Sequence, residues 1–215
     1  MPLTLEEKRP DGSVLCVWKI TETEEELKAI FDKLSLSEEK TDAVERYKAP
    51  NKRMQWYAAR LLTHQCIPDF QGIYYDQFGA PHLTESDICV SYSHSEDRVA
   101  LYYHAHHEVG VDVQVRTQKL KRIADKFLND DESKRITLNG KGLDEMHILW
   151  STKEAIFKIH KHHLPFKDIR TEKFVLKKEG VLKAKAHRFD GPHLHHVEYR
   201  TQDDFFLVTA CYNED

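Results

Sequence analysis

The stretch EVGVDVQVR, residues 108–116, limits what this chain can fold into more than any other. Side chains alternate along a strand, so Val109, Val111, Val113 and Val115 leave one face and Gly110, Asp112, Gln114 and Arg116 the other. A run this rich in valine belongs in a central strand, yet aspartate is depleted from strands. Two readings follow. Asp112 lies on a solvated strand face, or it is buried and needs a partner, a hydrogen-bond network or a metal.

The frame around that strand is ordinary. A chain of 215 residues can form one compact unit or two small subdomains, each with a real core. Its 40% hydrophobic and 32% charged content describe a soluble globular protein. The N-terminal MPLTLEEKRPDG lacks the apolar core of a signal peptide, and nothing approaches the ~20 apolar residues of a membrane span. A cytoplasmic protein with no membrane partner is therefore expected. Cys16, Cys66, Cys89 and Cys211 form no CxxC pair and read as small core hydrophobes in a reducing compartment. A net charge of −4 argues against a nucleic-acid binder that relies on overall charge.

The periodicity alternates between helix and strand. SVLCVWKI (13–20) predicts a strand. TETEEELKAIFDKL follows as an amphipathic helix, with Thr21–Glu24 or Thr23–Glu26 as capping box and Leu27, Ile30, Phe31 and Leu34 as apolar face. SLSEEKTDAVERY predicts a weaker helix capped by Ser37, and APNKRMQWYAARLLTHQC a stronger one starting after Pro50. IYYDQFGAPHL, ICVSYSHSEDRVALYYHA and HEVGVDVQV are strand material punctuated by Gly79 and Pro81. QKLKRIADKFL returns to helical period through Leu120, Ile123, Ala124, Phe127 and Leu128. The NGKG loop (139–142) then leads into a helix holding LWSTKEAIFKI, and EKFVLKK, VLKAKAHRF and HVEYRTQDDFFLVTACY close the chain as strands. QWYAARLL and LWSTKEAI, like the hairpins SYSHSEDRVALYY and EYRTQDDFFLVTA, hint at an internal repeat. The expected fold class is α+β, as two similar halves, 1–105 and 106–215, packed tightly as a pseudo-dimer.

Taken alone, Glu154 and Lys158, four apart on that last helix, are a surface ion pair worth a few tenths of a kcal/mol. The combination of motifs says more. Gly110-Val111-Asp112-Val113, then Trp150-Ser151-Thr152-Lys153-Glu154-Ala155 and Lys158, resemble the 4′-phosphopantetheinyl transferases, in particular their larger two-domain class. KRMQWYAARLL resembles that family's arginine-bearing helix, and Ser93-His94-Ser95 its Ser-His-Ser loop. The resemblance covers about residues 13 to 210.

That resemblance implies a monomer whose halves together form one active site. It would transfer the 4′-phosphopantetheine arm of coenzyme A to a serine of an apo acyl or peptidyl carrier protein, releasing adenosine 3′,5′-bisphosphate. Asp112 and Glu154 become ligands of Mg²⁺, which suits substrate phosphates. Gln114 stands where many members carry a third acid, so it offers a carbonyl oxygen or holds a metal-bound water, with weaker metal binding expected. Glu154 is also a base for the serine proton, and Lys158 steadies charge on the leaving group. Trp150 is a packing residue, and Lys153 has no role beyond a phosphate contact. Arg53, Ser93 and His94 would hold the 3′-phosphate of coenzyme A, while Arg60 reads as a structural ion pair. Ala80 stands where many relatives carry lysine, leaving Lys52 or His82 to compensate. An acidic carrier protein would dock on Lys119, Arg122 and Lys126, at i, i+3 and i+7 of the predicted helix.

Two other readings come from different classes. One is a non-catalytic relative that binds coenzyme A or carrier protein. The other is a metal-binding or storage protein, because nine of the fourteen histidines form three HxHH clusters: His104/106/107, His160/162/163 and His193/195/196. The clusters fall near predicted element ends, where surface histidines collect.

Overall fold

The computed structural model describes residues 3–34, 36, 42–136, 142–161 and 164–212. The chain divides into two compact units, Met1–His106 and His107–Asp215.

The first unit begins with β1 (Leu3–Lys8) and β2 (Val14–Lys19), antiparallel neighbours joined through Gly12 at φ 88°. β1 is a strand the sequence reading did not assign. Leu3 and Leu5 alternate with Thr4 and Glu6, and pairing with β2 supplies the backbone partners a lone polar strand lacks. α1 (Glu24–Phe31) starts at Thr23, whose hydroxyl accepts from Glu26 N while the Glu26 carboxylate accepts from Thr23 N. Of the two candidate capping boxes this is the one that forms. Of the next predicted helix only α2 (Asp42–Glu45) is described, and Ser37 lies outside the described residues. α3 (Pro50–Cys66) has proline in its first turn and buries Trp56, Tyr57, Ala58, Leu61 and Leu62. The hairpins β3–β4 (Ile73–Tyr75, Pro81–Leu83) and β5–β6 (Cys89–Ser95, Arg98–His104) follow. The sheet runs β1-β2-β6-β5, entirely antiparallel, and Trp18, Leu27, Phe31, Trp56, Leu62 and Leu101 fill the core between it and the helices.

The second unit opens with β7 (Val109–Val115). The continuous helix predicted for residues 118–128 is broken. A 3-10 turn (Gln118–Arg122) capped by Thr117 gives way at Ile123 (φ −117°, ψ 9°) to the four residues of α4 (Ala124–Phe127). Burying Leu120, Phe127 and Leu128 together outweighs the weak preference of a short helix for continuity. α5 (Asp130–Arg135) is capped by Asn129 and Glu132, and α6 (Gly142–Ile159) is the long helix of the unit; Asn139–Lys141 lie outside the described residues. After a 3-10 turn (Phe166–Asp168) come β8 (Ile169–Thr171), β9 (Glu179–Arg188), β10 (Gly191–Thr201) and β11 (Phe205–Tyr212), in the antiparallel order β7-β11-β10-β9-β8. The EKFVLKK segment, expected as a strand, has no ladder. Its ends meet other backbone, Glu172 N donating to Lys183 O and Lys178 O accepting from Thr201 N; between them Lys177 N donates to Tyr199 Oη at 3.2 Å and Tyr199 Oη donates to Val175 O at 3.1 Å. In both units strands come first, with β1 and β2 preceding the helices of one unit and β7 those of the other.

Candidate active site

The site of the second unit is set by how closely α6 lies on β7. A Cβ added at Gly110 would fall 2.0 Å from the carbonyl oxygen of Ala155, so only glycine lets helix backbone rest on strand backbone there. Gly110 and Asp112 share a face, and α6 therefore covers Asp112, which is 5% exposed. Of the two readings of the aspartate, burial is the one that holds.

Glu154 and Lys158, one turn apart on α6, converge on that aspartate. Lys158 Nζ donates to the Val111 carbonyl at 2.6 Å and to Asp112 Oδ1 at 3.4 Å. Glu154 is half-buried. Burial first, and the Asp112 charge second, push its carboxyl up to about 7 against the pull of Lys158. Two carboxylates and an ammonium thus lie together in partly dehydrated surroundings, and a carboxyl poised near neutrality is suited to exchanging a proton or accepting a cation. Gln114, half-buried and two residues along the same strand face, has its amide nitrogen 3.4 Å from the Val115 carbonyl.

Lys153 sits one residue before Glu154 and about 100° around the helix. It is fully buried. Its ammonium lies 2.7 Å from Glu132 Oε2 and donates to the carbonyls of Phe127 (2.8 Å), Phe166 (3.0 Å) and Ile169 (2.7 Å). Glu132, equally buried, accepts from Thr171 N and Oγ1 as well. Lys153 therefore ties α4, α5, α6 and β8 together and is out of reach of a phosphate, which corrects the sequence expectation. Desolvation lowers its pKa, and Glu132 counters that effect. No sequence signal announced the Glu132 partnership, because the two residues are brought together only by the fold. Trp150 packs edge-on between Phe127 and Phe166, as a packing residue should. His147, also unannounced, is buried against Phe206 at 4.4 Å, accepts from Thr117 N at 3.0 Å, and is pushed down to about 4 by burial.

In the first unit Arg53 is held by Glu24 through Nε–Oε1 (2.5 Å) and Nη2–Oε2 (2.8 Å), while Nη1 donates to the Tyr47 and Lys48 carbonyls. Ser93 and His94 are consecutive on β5 and leave opposite faces, the serine buried and the histidine exposed. Lys52 Nζ lies 3.4 Å from His94 Nδ1. Of the two proposed substitutes for the absent lysine, Lys52 is thus the one beside His94, which lies on a strand and not in the expected loop. His82 faces Asp76 at 3.3 Å and stacks on Tyr74, and Ala80 is buried in a turn whose N–H groups Asp76 Oδ1 accepts. Arg60 is buried with its guanidinium 3.7 Å from the Trp56 ring centroid, a cation stacked on an aromatic face. Lys119, Arg122 and Lys126 are all exposed, but the break at Ile123 removes the single helix face they were expected to share.

The histidines also depart from expectation. His160 and His195 are buried, not superficial, and residues of two sequence clusters meet: His160 Nε2 lies 2.9 Å from His195 Nε2, with Arg188 Nη1 3.2 Å from His160 Nδ1. Burial, aided by Arg188, pushes His160 down to about 4, and burial with His160 beside it takes His195 to about 3. His162 and His163 lie outside the described residues.

Among known proteins, residues 108–210 match the family model of the 4′-phosphopantetheinyl transferase superfamily, a stretch that includes Asp112, Glu154 and Lys158. That match supports transferase activity. No curated protein matches the chain. Among the described residues no helix is long and apolar enough to cross a membrane.

Proposed function

We propose that this protein is a 4′-phosphopantetheinyl transferase of the larger two-domain class, converting an apo acyl or peptidyl carrier protein to its holo form with coenzyme A as donor. The observation that carries the proposal is Glu154, half-buried beside Asp112 with its carboxyl raised to about 7. The subclass draws on the arginine helix and Ser-His-Ser segment of the first unit, which has its own antiparallel sheet and long helix.

The donor set fits Mg²⁺. Among the described residues no three His, Cys, Asp or Glu side chains form a metal-holding group, and Mg²⁺ is usually bound by one or two carboxylates together with substrate phosphates and water. Asp112 and Glu154 would be those carboxylates, with Gln114 beside them. When bound, the cation supplies charge neutralisation to the pyrophosphate. Glu154 takes the proton of the carrier serine as that oxygen attacks the β-phosphorus of coenzyme A. Lys158, already aimed at Asp112, stabilises the charge growing on the departing adenosine bisphosphate. In the first unit the Lys52 ammonium, with the His94 ring beside it, presents an exposed polar pair for the 3′-phosphate, and Arg53 joins them on releasing part of its hold on Glu24. Lys119, Arg122 and Lys126 remain the proposed contact for an acidic carrier protein, now as separate cations and not as one stripe.

The test is intact-mass spectrometry of an apo carrier protein incubated with this protein, coenzyme A and Mg²⁺. A gain of one phosphopantetheine arm, lost with Glu154→Gln, supports the proposal. Coenzyme A binding without any gain across several carrier proteins would point to the non-catalytic relative. Tight Zn²⁺ or Ni²⁺ binding unaffected by Asp112→Ala, with no gain, would favour the metal-binding alternative.

A further inference from the structure

Four cysteines spread through a sequence at 16, 66, 89 and 211 carry no pairing signal, yet the fold brings two of them together. Cys16 is an inward-facing, fully buried residue of β2, and Cys66 is the half-exposed last residue of α3. α3 packs across β2 and β6. Its end is fixed there, because the Cys66 carbonyl accepts a hydrogen bond from Tyr103 Oη at 3.0 Å. Tyr103 stands on β6 directly opposite Val14, and Val14 and Cys16 share one face of β2. Cys66 accordingly packs against the core cluster that contains Cys16, and the two thiols lie within hydrogen-bonding reach of each other.

We propose that Cys16 and Cys66 are a peroxide-sensitive dithiol, with Cys66 oxidised first and Cys16 as the resolving thiol that closes a disulfide between β2 and the end of α3. The division of labour follows from the surroundings. Cys66 is the less buried residue of the two. The hydrogen bond between them holds the Cys66 thiol below the ordinary range, while the same bond and burial hold Cys16 above it. The thiolate population therefore sits on the less buried partner.

The chemistry balances with hydrogen peroxide as oxidant. The Cys66 thiolate attacks one peroxide oxygen, the O–O bond breaks, and the departing hydroxide takes the thiol proton to become water. The Cys16 sulfur then attacks the Cys66 sulfenic acid, the S–O bond breaks, and hydroxide leaves with the Cys16 proton as a second water. Two thiols lose two electrons to one peroxide. Neither cysteine belongs to the proposed transferase machinery, so this inference stands or falls independently of that reading.

The test exposes the native protein to hydrogen peroxide, quenches with an alkylating agent in denaturant, and maps peptides by mass spectrometry. The expected result is loss of two of the four thiols and a decrease of about 2 Da before alkylation. A linked Cys16–Cys66 peptide should appear, and dithiothreitol should reverse it. With Cys16→Ser, Cys66 should be trapped as a sulfenic acid adduct by dimedone and no link should form. With Cys66→Ser, Cys16 should keep its thiol. Circular dichroism of both serine variants confirms that the fold survives, and Cys66→Ala repeats the second case without a hydroxyl. Oxidation of Cys89 or Cys211 ahead of Cys66 would overturn the proposal, as would a link that appears only in urea or four intact thiols.

Discussion

The long helices α3 and α6 each lie on an antiparallel sheet and each carry charged residues at candidate functional positions, but they treat those charges differently. On α3, Arg53 is bound by Glu24 and two carbonyls, and Arg60 is buried on Trp56. α6 splits the two treatments between adjacent residues. Lys153 has a carboxylate and three carbonyl partners in a dry core, whereas Glu154 is half-buried near another carboxylate, and burial and that charge raise it to about 7. A buried charge with its partners in place is a strut. A half-buried charge set against a like charge is held in an electrostatic environment that a cation or a proton would relieve.

The sharpest way to break this comparison is to remove each charge in turn. Glu154→Gln should reduce carrier-protein modification by roughly 10²- to 10⁴-fold, the range of a lost general base, while leaving the thermal midpoint unchanged or higher. A midpoint that falls with activity would make Glu154 a strut like its neighbour. Lys153→Ala should do the opposite and cost about 3–5 kcal/mol in urea unfolding, because Glu132 is left buried without its cation. Lys153→Met with Glu132→Gln should recover part of that loss; no recovery would mean that packing, not the ion pair, sets the cost.

Smaller effects come from pH. His147, His160 and His195 titrate in the fold at about 4, 4 and 3, below their ordinary 6.5. The unfolded chain therefore binds more protons below pH 6.5, and stability should fall as pH drops from there toward 4, by about 1–2 kcal/mol per histidine at pH 5. Glu154 works with the reverse sign. Its folded pKa of about 7 lies above the ordinary 4.5, so its protonation adds stability as pH falls through 7. Urea midpoints at pH 7.5 and 5 should show a net decline, reduced in His147→Phe, and an unchanged midpoint would contradict the burial argument. In the same variant set, the rise of transfer rate through pH 7 should flatten with Glu154→Gln. The smallest effect is expected in the first unit. Arg53→Ala should raise the KM for coenzyme A severalfold and leave the KM for dephospho-coenzyme A alone, whereas an equal rise for both would reduce Arg53 to a partner of Glu24.

What could be read without a structure was whatever depends on neighbours in sequence. Alternation marked β7 and the β10–β11 hairpin, the Thr-x-x-Glu spacing narrowed the start of α1 to two candidates, and an i,i+4 spacing placed Glu154 and Lys158 on one face. The misreadings have a common cause. Residues 118–128 have helical period, but the pull of Leu120 and Phe127 toward one core breaks the helix at Ile123. EKFVLKK looks like a strand, but Tyr199 and Thr201 satisfy its backbone in place of a ladder.

The sequence by itself determined which residues could do the chemistry, because carboxylates, ammonium groups and their spacing along a strand or a helix are local properties. Only the tertiary structure decided which of them are available. Gly110 lets α6 settle onto β7 and bury Asp112, Glu132 reaches across from another helix to immobilise Lys153, and the packing of α3 on β2 sets Cys66 against Cys16. Burial and partnership belong to pairs of residues distant in the chain, and a carboxyl acquires its proton affinity from the charges and the water that the fold places around it.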